Sequence, residues 1–427
     1  MKYAYVNGAV LSGAEDMEPV RGLAVLTDGE TIADLVPERS VPEGFETVDL
    51  GGGYLMPGLI NLHVHLPAGG KPQKKKRDSA KLAHFMTGTA LMRAAALKMC
   101  EGYARTELLS GVTTIRTVGG IIDIDTKIRD RILAGKLDGP RILASNMAVS
   151  VPGGHMAGSV SYIARSAEEA VAYVRQIAAQ KPDLIKLMIT GGVLDATVKG
   201  EPGVLKMPPE TVKAACGEAH RLGLRVAAHV ESPEGVRVAL ENGVDTIEHG
   251  AKPDDGILNL FRERGACLVT TLSPALPYAL FDRAVSRASE MEQFNGDVVF
   301  EGIKDCSRAC LAAGIPVGLG TDTGCPYITH YDMWRELSYF HRFCGVSNAF
   351  ALYTATKRNA EIAGIGALTG SVEPGKCADL VMTAKNPLDD LEALRSVRMV
   401  AARGKLFRDP KVRKMPEVER ELDKFAR

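Results

Sequence analysis

Short apolar runs alternate with amphipathic helical stretches over most of this chain, an order that signals βα units and a parallel sheet. The predicted strands are Leu59 to His65, Val112 to Val118, Arg141 to Met147, Leu184 to Thr190, Arg225 to Val230, Asp245 to His249, Cys267 to Leu272 and Val317 to Asp322. Eight such units favour a closed (β/α)8 TIM barrel over an open doubly wound sheet. Helix signals lie between them. Ser166-Ala167-Glu168-Glu169 has the capping-box pattern, Ser232-Pro233-Glu234 sets a cap before a first-turn proline and an acid, and Gly223 and Gly243 stand where helices stop.

The flanks differ in texture. Residues 1 to 55 carry short alternating runs such as Tyr3 to Leu11, broken by Gly and Asp, and 368 to 408 again reads as short strands, including Ala378 to Met382 and Val397 to Ala401. The two ends are expected to combine into one small β-sandwich domain beside a barrel spanning 56 to 367. The tail from 409 to 427, rich in both charges, is a predicted surface helix.

Composition narrows the partners. The 427 residues hold 52 basic and 52 acidic side chains, so no nucleic-acid or membrane partner is expected. No signal-peptide pattern opens the chain and no window is apolar enough to span a bilayer, so the expected location is cytoplasmic. Eight scattered cysteines without a Cys-x-x-Cys pair indicate neither disulfides nor a cysteine metal site, and the Cys306/Cys310 spacing is read as coincidence. The basic cluster Lys71 to Arg77 reads as a solvated loop, with a rim for anionic substrates as its functional alternative.

Candidate chemistry gathers at strand ends, where barrels build active sites. His63 and His65 alternate onto one face of the first strand, close enough for both imidazoles to meet one metal ion. Lys186 sits mid-strand in Leu184-Ile185-Lys186-Leu187, where an unpaired ammonium is costly. Burial favours its neutral amine, which can capture carbon dioxide as an anionic carbamate able to bridge two metals. The fifth strand ends in His229, the sixth in His249 and the eighth in Asp322. Neutral imidazoles with anionic oxygens suit zinc or a similar divalent ion.

With these residues and two longer motifs, Met56-Pro57-Gly58-Leu59-Ile60-Asn61-Leu62-His63-Val64-His65 and Gly370-Ser371-Val372-Glu373-Pro374-Gly375-Lys376-Cys377-Ala378-Asp379, the chain resembles the amidohydrolase superfamily. Lys186 is similar to the lysine of its binuclear members. Pro152-Gly153-Gly154-His155, Thr190-Gly191-Gly192 and Gly320-Thr321-Asp322-Thr323-Gly324 narrow the resemblance to metal-dependent prolidases and Xaa-Arg/Lys dipeptidases or carboxypeptidases. The resemblance implies a binuclear hydrolase that cuts a dipeptide or N-acyl amino acid with a free C-terminal carboxylate. It further implies that His63, His65 and Asp322 hold one metal, that His229 and His249 hold the other, and that carboxylated Lys186 and a hydroxide bridge them. Asp322 would then shuttle the proton of the attacking hydroxide, and His155 would meet the substrate. Alternatives on the same centre are a cyclic-amide hydrolase of imidazolonepropionase or hydantoinase type, a phosphotriesterase or lactonase, and a non-catalytic scaffold. A homo-oligomer is also among the expectations the resemblance raises.

Two departures bear on specificity. Where similar enzymes carry Tyr or His two residues after the fifth-strand histidine, this chain has Glu231, which either faces a cationic substrate group, a basic side chain or a free amine, or faces away, and Arg116-Thr117 replaces an Arg-Asp pair. His330 and Glu336 follow the eighth strand where relatives place a His and a Glu, as pocket residues or caps.

Overall fold

The computed structural model describes residues 1–72 and 78–426. The basic cluster predicted at Lys71 to Arg77 therefore lies, except for Lys71 and Pro72, outside the described residues. All eight predicted strands form: Leu59–Val64, Val112–Thr117, Arg141–Leu143, Leu184–Met188, Arg225–Val230, Thr246–His249, Cys267–Thr270 and Val317–Leu319. Each runs parallel to its neighbour. The first three make one sheet, and the last five join two short strands, Ala148–Ser150 and Ser161–Ile163, in another.

Backbone bonds stitch the two sheets together at both seams. Asp322 N donates to His63 O at 2.9 Å, His65 N donates to Thr323 O at 3.1 Å, and Asp183 N donates to Ala144 O at 2.7 Å. Below the first seam, buried Asn359 donates to the carbonyls of Ile60 and Leu319 and accepts from Leu319 N, so one amide side chain clips the first and last strands together. Leu, Ile and Val of these strands pack under the helices into one large core, and Ile60, Leu62 and Val269 form a smaller cluster with Ala360 and Ile362.

The third strand departs from expectation. It ends at Leu143 because Asn146 adopts a left-handed φ of 59°, which asparagine tolerates better than most residues. The Asn146 side chain is locked there, accepting from Thr126 N and donating to Thr126 and Gln180. The chain resumes as the Ala148–Ser150 strand.

Strands from both chain ends share a six-stranded sheet, in the order Lys405–Arg408, Met399–Ala402, Leu380–Thr383, Tyr54–Pro57, Ala9–Leu11 and Pro19–Arg21. A four-stranded sheet, Thr31–Pro37, Leu23–Asp28, Lys2–Val6 and Glu46–Asp49, accompanies it. Tyr5, Val25 and Leu55 meet Leu380 and Ala401 in one core between the ends. In the tail, a helix forms only over Pro416–Leu422. It is docked by charge: buried Arg335 reaches Asp423 at 2.7 Å and Glu419 at 3.3 Å, and Arg395 reaches Asp423 at 3.0 Å.

Candidate metal centre

At the C-terminal ends of the parallel strands, ring nitrogens of His63 and His249 and a carboxylate oxygen of Asp322 lie within 4.8 Å of one another. Asp322 Oδ1 stands 3.1 Å from His65 Nε2 and 3.5 Å from His63 Nε2. The far nitrogens of these rings are occupied. His63 Nδ1 donates to Glu248 at 2.8 Å, His65 Nδ1 donates to the Gly119 carbonyl at 2.7 Å, and His249 Nδ1 pairs with Thr271 Oγ1 at 2.6 Å. Fixing one nitrogen of an imidazole sets its tautomer and leaves the other lone pair for a cation. Glu248 is fixed in turn by Nη2 of buried Arg116, which donates to both its oxygens at 2.7 and 2.8 Å, and by Thr246.

Backbone geometry brings these side chains together. His249 and Asp322 sit at the ends of their strands with φ of 69° and 58°, values uncommon for residues other than glycine. Such strained positions cluster at functional sites, where the surrounding structure enforces them. By strand alternation Thr246 and Glu248 share one face; the left-handed turn at His249 breaks that alternation and carries its ring to within 4.9 Å of His63 and 4.7 Å of His229, centroid to centroid.

Lys186 lies one strand away with 1% of its surface exposed, and its Nζ has no hydrogen-bond partner. Burial pushes its pKa down to about 8, against the pull of Glu248 and Asp322. Burial likewise holds His63 and His229 well below the ordinary histidine range and lowers His249 to about 4, so all three are neutral near pH 7 and able to ligate. Burial alone would raise Asp322, but His63, His65 and His249 around it hold its carboxyl below the usual range. Orphaned amine, neutral imidazoles and ionised carboxylate together fit a divalent cation by donor chemistry.

On the opposite wall His229 and Glu231 form a second group with His249, again within 4.8 Å. His229 Nε2 donates to Gly191 O at 3.2 Å, and its ring stacks on His155 at 4.0 Å. His155 Nδ1 is paired with Asp195 Oδ2 at 2.5 Å, and Gly192 N donates to the same oxygen. Glu231 Oε2 is buried without a partner. Burial, then the nearby Asp322 and Asp195 charges, raise its pKa to about 8.

A model of the amidohydrolase family matches residues 54–407. The chain belongs to that family. This amidohydrolase is 34% identical to a solved candidate prolidase from Bifidobacterium longum, with a TM-score of 0.87 over 99% of this chain and 98% of that one. A solved Xaa-Pro dipeptidase with methionine in its active site is 28% identical, with a TM-score of 0.84 over 96% of this chain and 100% of that one. Among curated proteins the ochratoxinase of Aspergillus niger is 26% identical over 426 residues, 92% of this chain and 85% of that one.

The structure thus gathers His63, His65, Lys186, His229, His249 and Asp322 of the amidohydrolase at one strand-end site, with His155 and Glu231 beside them. His330 does not join as a free pocket residue: Nε2 donates to Ala68 O at 2.8 Å and Nδ1 pairs with Glu107 at 3.0 Å, so the buried ring pins the loop after His65 and offers a substrate no free nitrogen. Glu336 accepts from Leu272 N, Ser273 N and the Ser273 hydroxyl, bracing the end of the seventh strand. Sequence reasoning missed Asp195 and the Arg116–Glu248 pair as supports of the site. The alternation of Thr246 and Glu248 was an available signal for the pair; for Asp195, on a loop, there was none.

Proposed function

We propose that this chain is a binuclear metal-dependent amidohydrolase cutting the amide of a dipeptide or N-acyl amino acid with a free C-terminal carboxylate. The observation that carries the reading is Lys186, a buried, unpartnered amine set among convergent neutral histidines and an ionised aspartate. Carboxylation by carbon dioxide would convert it to an anion and remove the mismatch. His63, His65 and Asp322 would hold one ion, His229 and His249 the other, and carboxylated Lys186 both, with zinc the best match to the donors. Two such ions supply the charge that acidifies a water and polarises the scissile carbonyl.

The remaining roles belong to side chains. Asp322, ionised near neutral pH, accepts the proton of the attacking water and passes it to the leaving amine. Asp195 orients His155 as the ring donates to a substrate oxygen. Arg116 and Glu248 hold His63 in the tautomer that turns Nε2 inward. The same reading takes the eight parallel strands as one closed (β/α)8 barrel over 56–367, with 1–55 and 368–408 as a small β-sandwich domain; the bonded seams at Asp322/His63 and Asp183/Ala144 support it. Among the described residues no helix is long and apolar enough to cross a membrane.

The test is a panel of Xaa-Pro, Xaa-Arg, Xaa-Lys and N-acyl amino acids, read as released amine, with metal content measured on protein purified without chelators. Two equivalents of divalent metal and a hydrolysis that chelators stop and zinc restores are expected. Absence of metal, or no amide cleaved, would refute the reading.

A further inference from the structure

Resting on the amide-hydrolase reading above, we propose that Glu231 receives the free α-ammonium group of the residue whose carbonyl is cut, so that this site selects unblocked aminoacyl amides and dipeptides over N-acyl amino acids. A buried acceptor without a donor is costly, and a site that leaves one open rejects ligands that do not fill it. Glu231 Oε2 is such an acceptor. Asp195, a carboxylate on the neighbouring loop, offers it no donor and is already committed to His155 and Gly192 N.

The backbone that carries this side chain is held in place. Glu231 N donates to Thr190 Oγ1 at 3.0 Å, and the Gly203 backbone packs so closely on the Glu231 carbonyl that any Cβ there would collide with it. Gly192 lies against the unpartnered oxygen: a methyl added to that glycine would lie 3.2 Å from both Glu231 Oε2 and His155 Nδ1 and crowd it.

Reach decides which cation fits. One Glu231 oxygen lies within 4.8 Å of ring nitrogens of His229 and His249. In a substrate whose scissile carbonyl is held at that cluster, the α-nitrogen is two bonds from the carbonyl carbon, about 2.5 Å away. An ammonium there comes within charge-assisted hydrogen-bond distance of the carboxylate. The side-chain cation of a lysine or arginine lies several bonds further out and overshoots it.

The experiment uses a matched pair that differs only in the ammonium group, alanyl-leucine and propionyl-leucine, with the metal-loaded enzyme. A kcat/KM preference for alanyl-leucine on the order of 10–100-fold is expected. Glu231→Gln should bring it to within about threefold, the loss of one charge-assisted contact. A parent that treats the two alike, or a preference unchanged in the variant, would overturn the assignment. Isothermal titration with L-alanine and propionate, the acyl halves of the pair with no amide left to cut, reads the same preference without turnover. An enzyme that cleaves neither peptide passes the hydrolase reading to the wider panel above, while the binding ratio still decides the role of Glu231. Metal content of the variant closes the test: the parent's stoichiometry is expected, and loss of one equivalent would make Glu231 a metal ligand and overturn its assignment to substrate.

Discussion

The two walls of the site share His249 and are built on opposite rules. On the His63 wall every imidazole has its outer nitrogen engaged, and the group engaging His63 is itself held by a buried arginine. On the Glu231 wall a carboxylate oxygen is equally buried and meets no donor. Groups that must not move are over-determined by their surroundings, whereas a group awaiting an external partner is left unsatisfied and held only through its backbone. Lys186 belongs with Glu231 in this respect, a buried amine with nothing to bond.

The comparison breaks most sharply at Lys186. Lys186→Ala should lower amide hydrolysis by on the order of 10²–10³-fold or more, since it removes charge stabilisation at the reacting centre. Short carboxylic acids such as propionate should restore part of the rate by filling the vacated space with an anion. Full activity without added acid would remove Lys186 from the centre. Next in size is Glu248→Gln, which leaves the His63 ring unoriented. Loss of such a support weakens metal affinity by roughly 10–100-fold, measurable by competition with a chelator. An unchanged affinity would mean that the saturated wall is over-built.

The smallest effect concerns stability. Glu231 has a pKa raised from 4.5 to about 8 in the folded protein. A group raised on folding contributes stability that is complete below its unfolded pKa and lost as pH rises through its folded pKa. In metal-free protein the Tm of the parent should therefore fall increasingly below that of Glu231→Gln between pH 4.5 and about 8. A gap constant across that range would show that the carboxylate is satisfied after all.

Much of this architecture was legible because periodicity reports burial. All eight predicted strands occur, although the third stops at Leu143, where Asn146 turns left-handed. The site residues at strand ends could be found because parallel strands deliver their C-terminal residues to one face. What could not be read was which atoms each side chain would meet. His330 looked like a pocket residue by position, yet Glu107, over two hundred residues away in sequence, and Ala68 occupy both its nitrogens. Asp195 carried no signal, since a loop aspartate is ordinary until it lies 2.5 Å from a histidine.

His63 and His65 could be paired from sequence alone because alternation along a strand is a local property of the backbone. Lys186 could be marked as anomalous because a charged residue inside an apolar run is costly wherever that run is buried. Joining His249 and Asp322 to that pair required left-handed turns at both residues and bonded seams between distant strands, and local pattern does not encode either. Whether a buried charge is answered or left waiting depends on neighbours brought from remote positions, and for Arg116, Glu248 and Glu231 only the tertiary structure decided it.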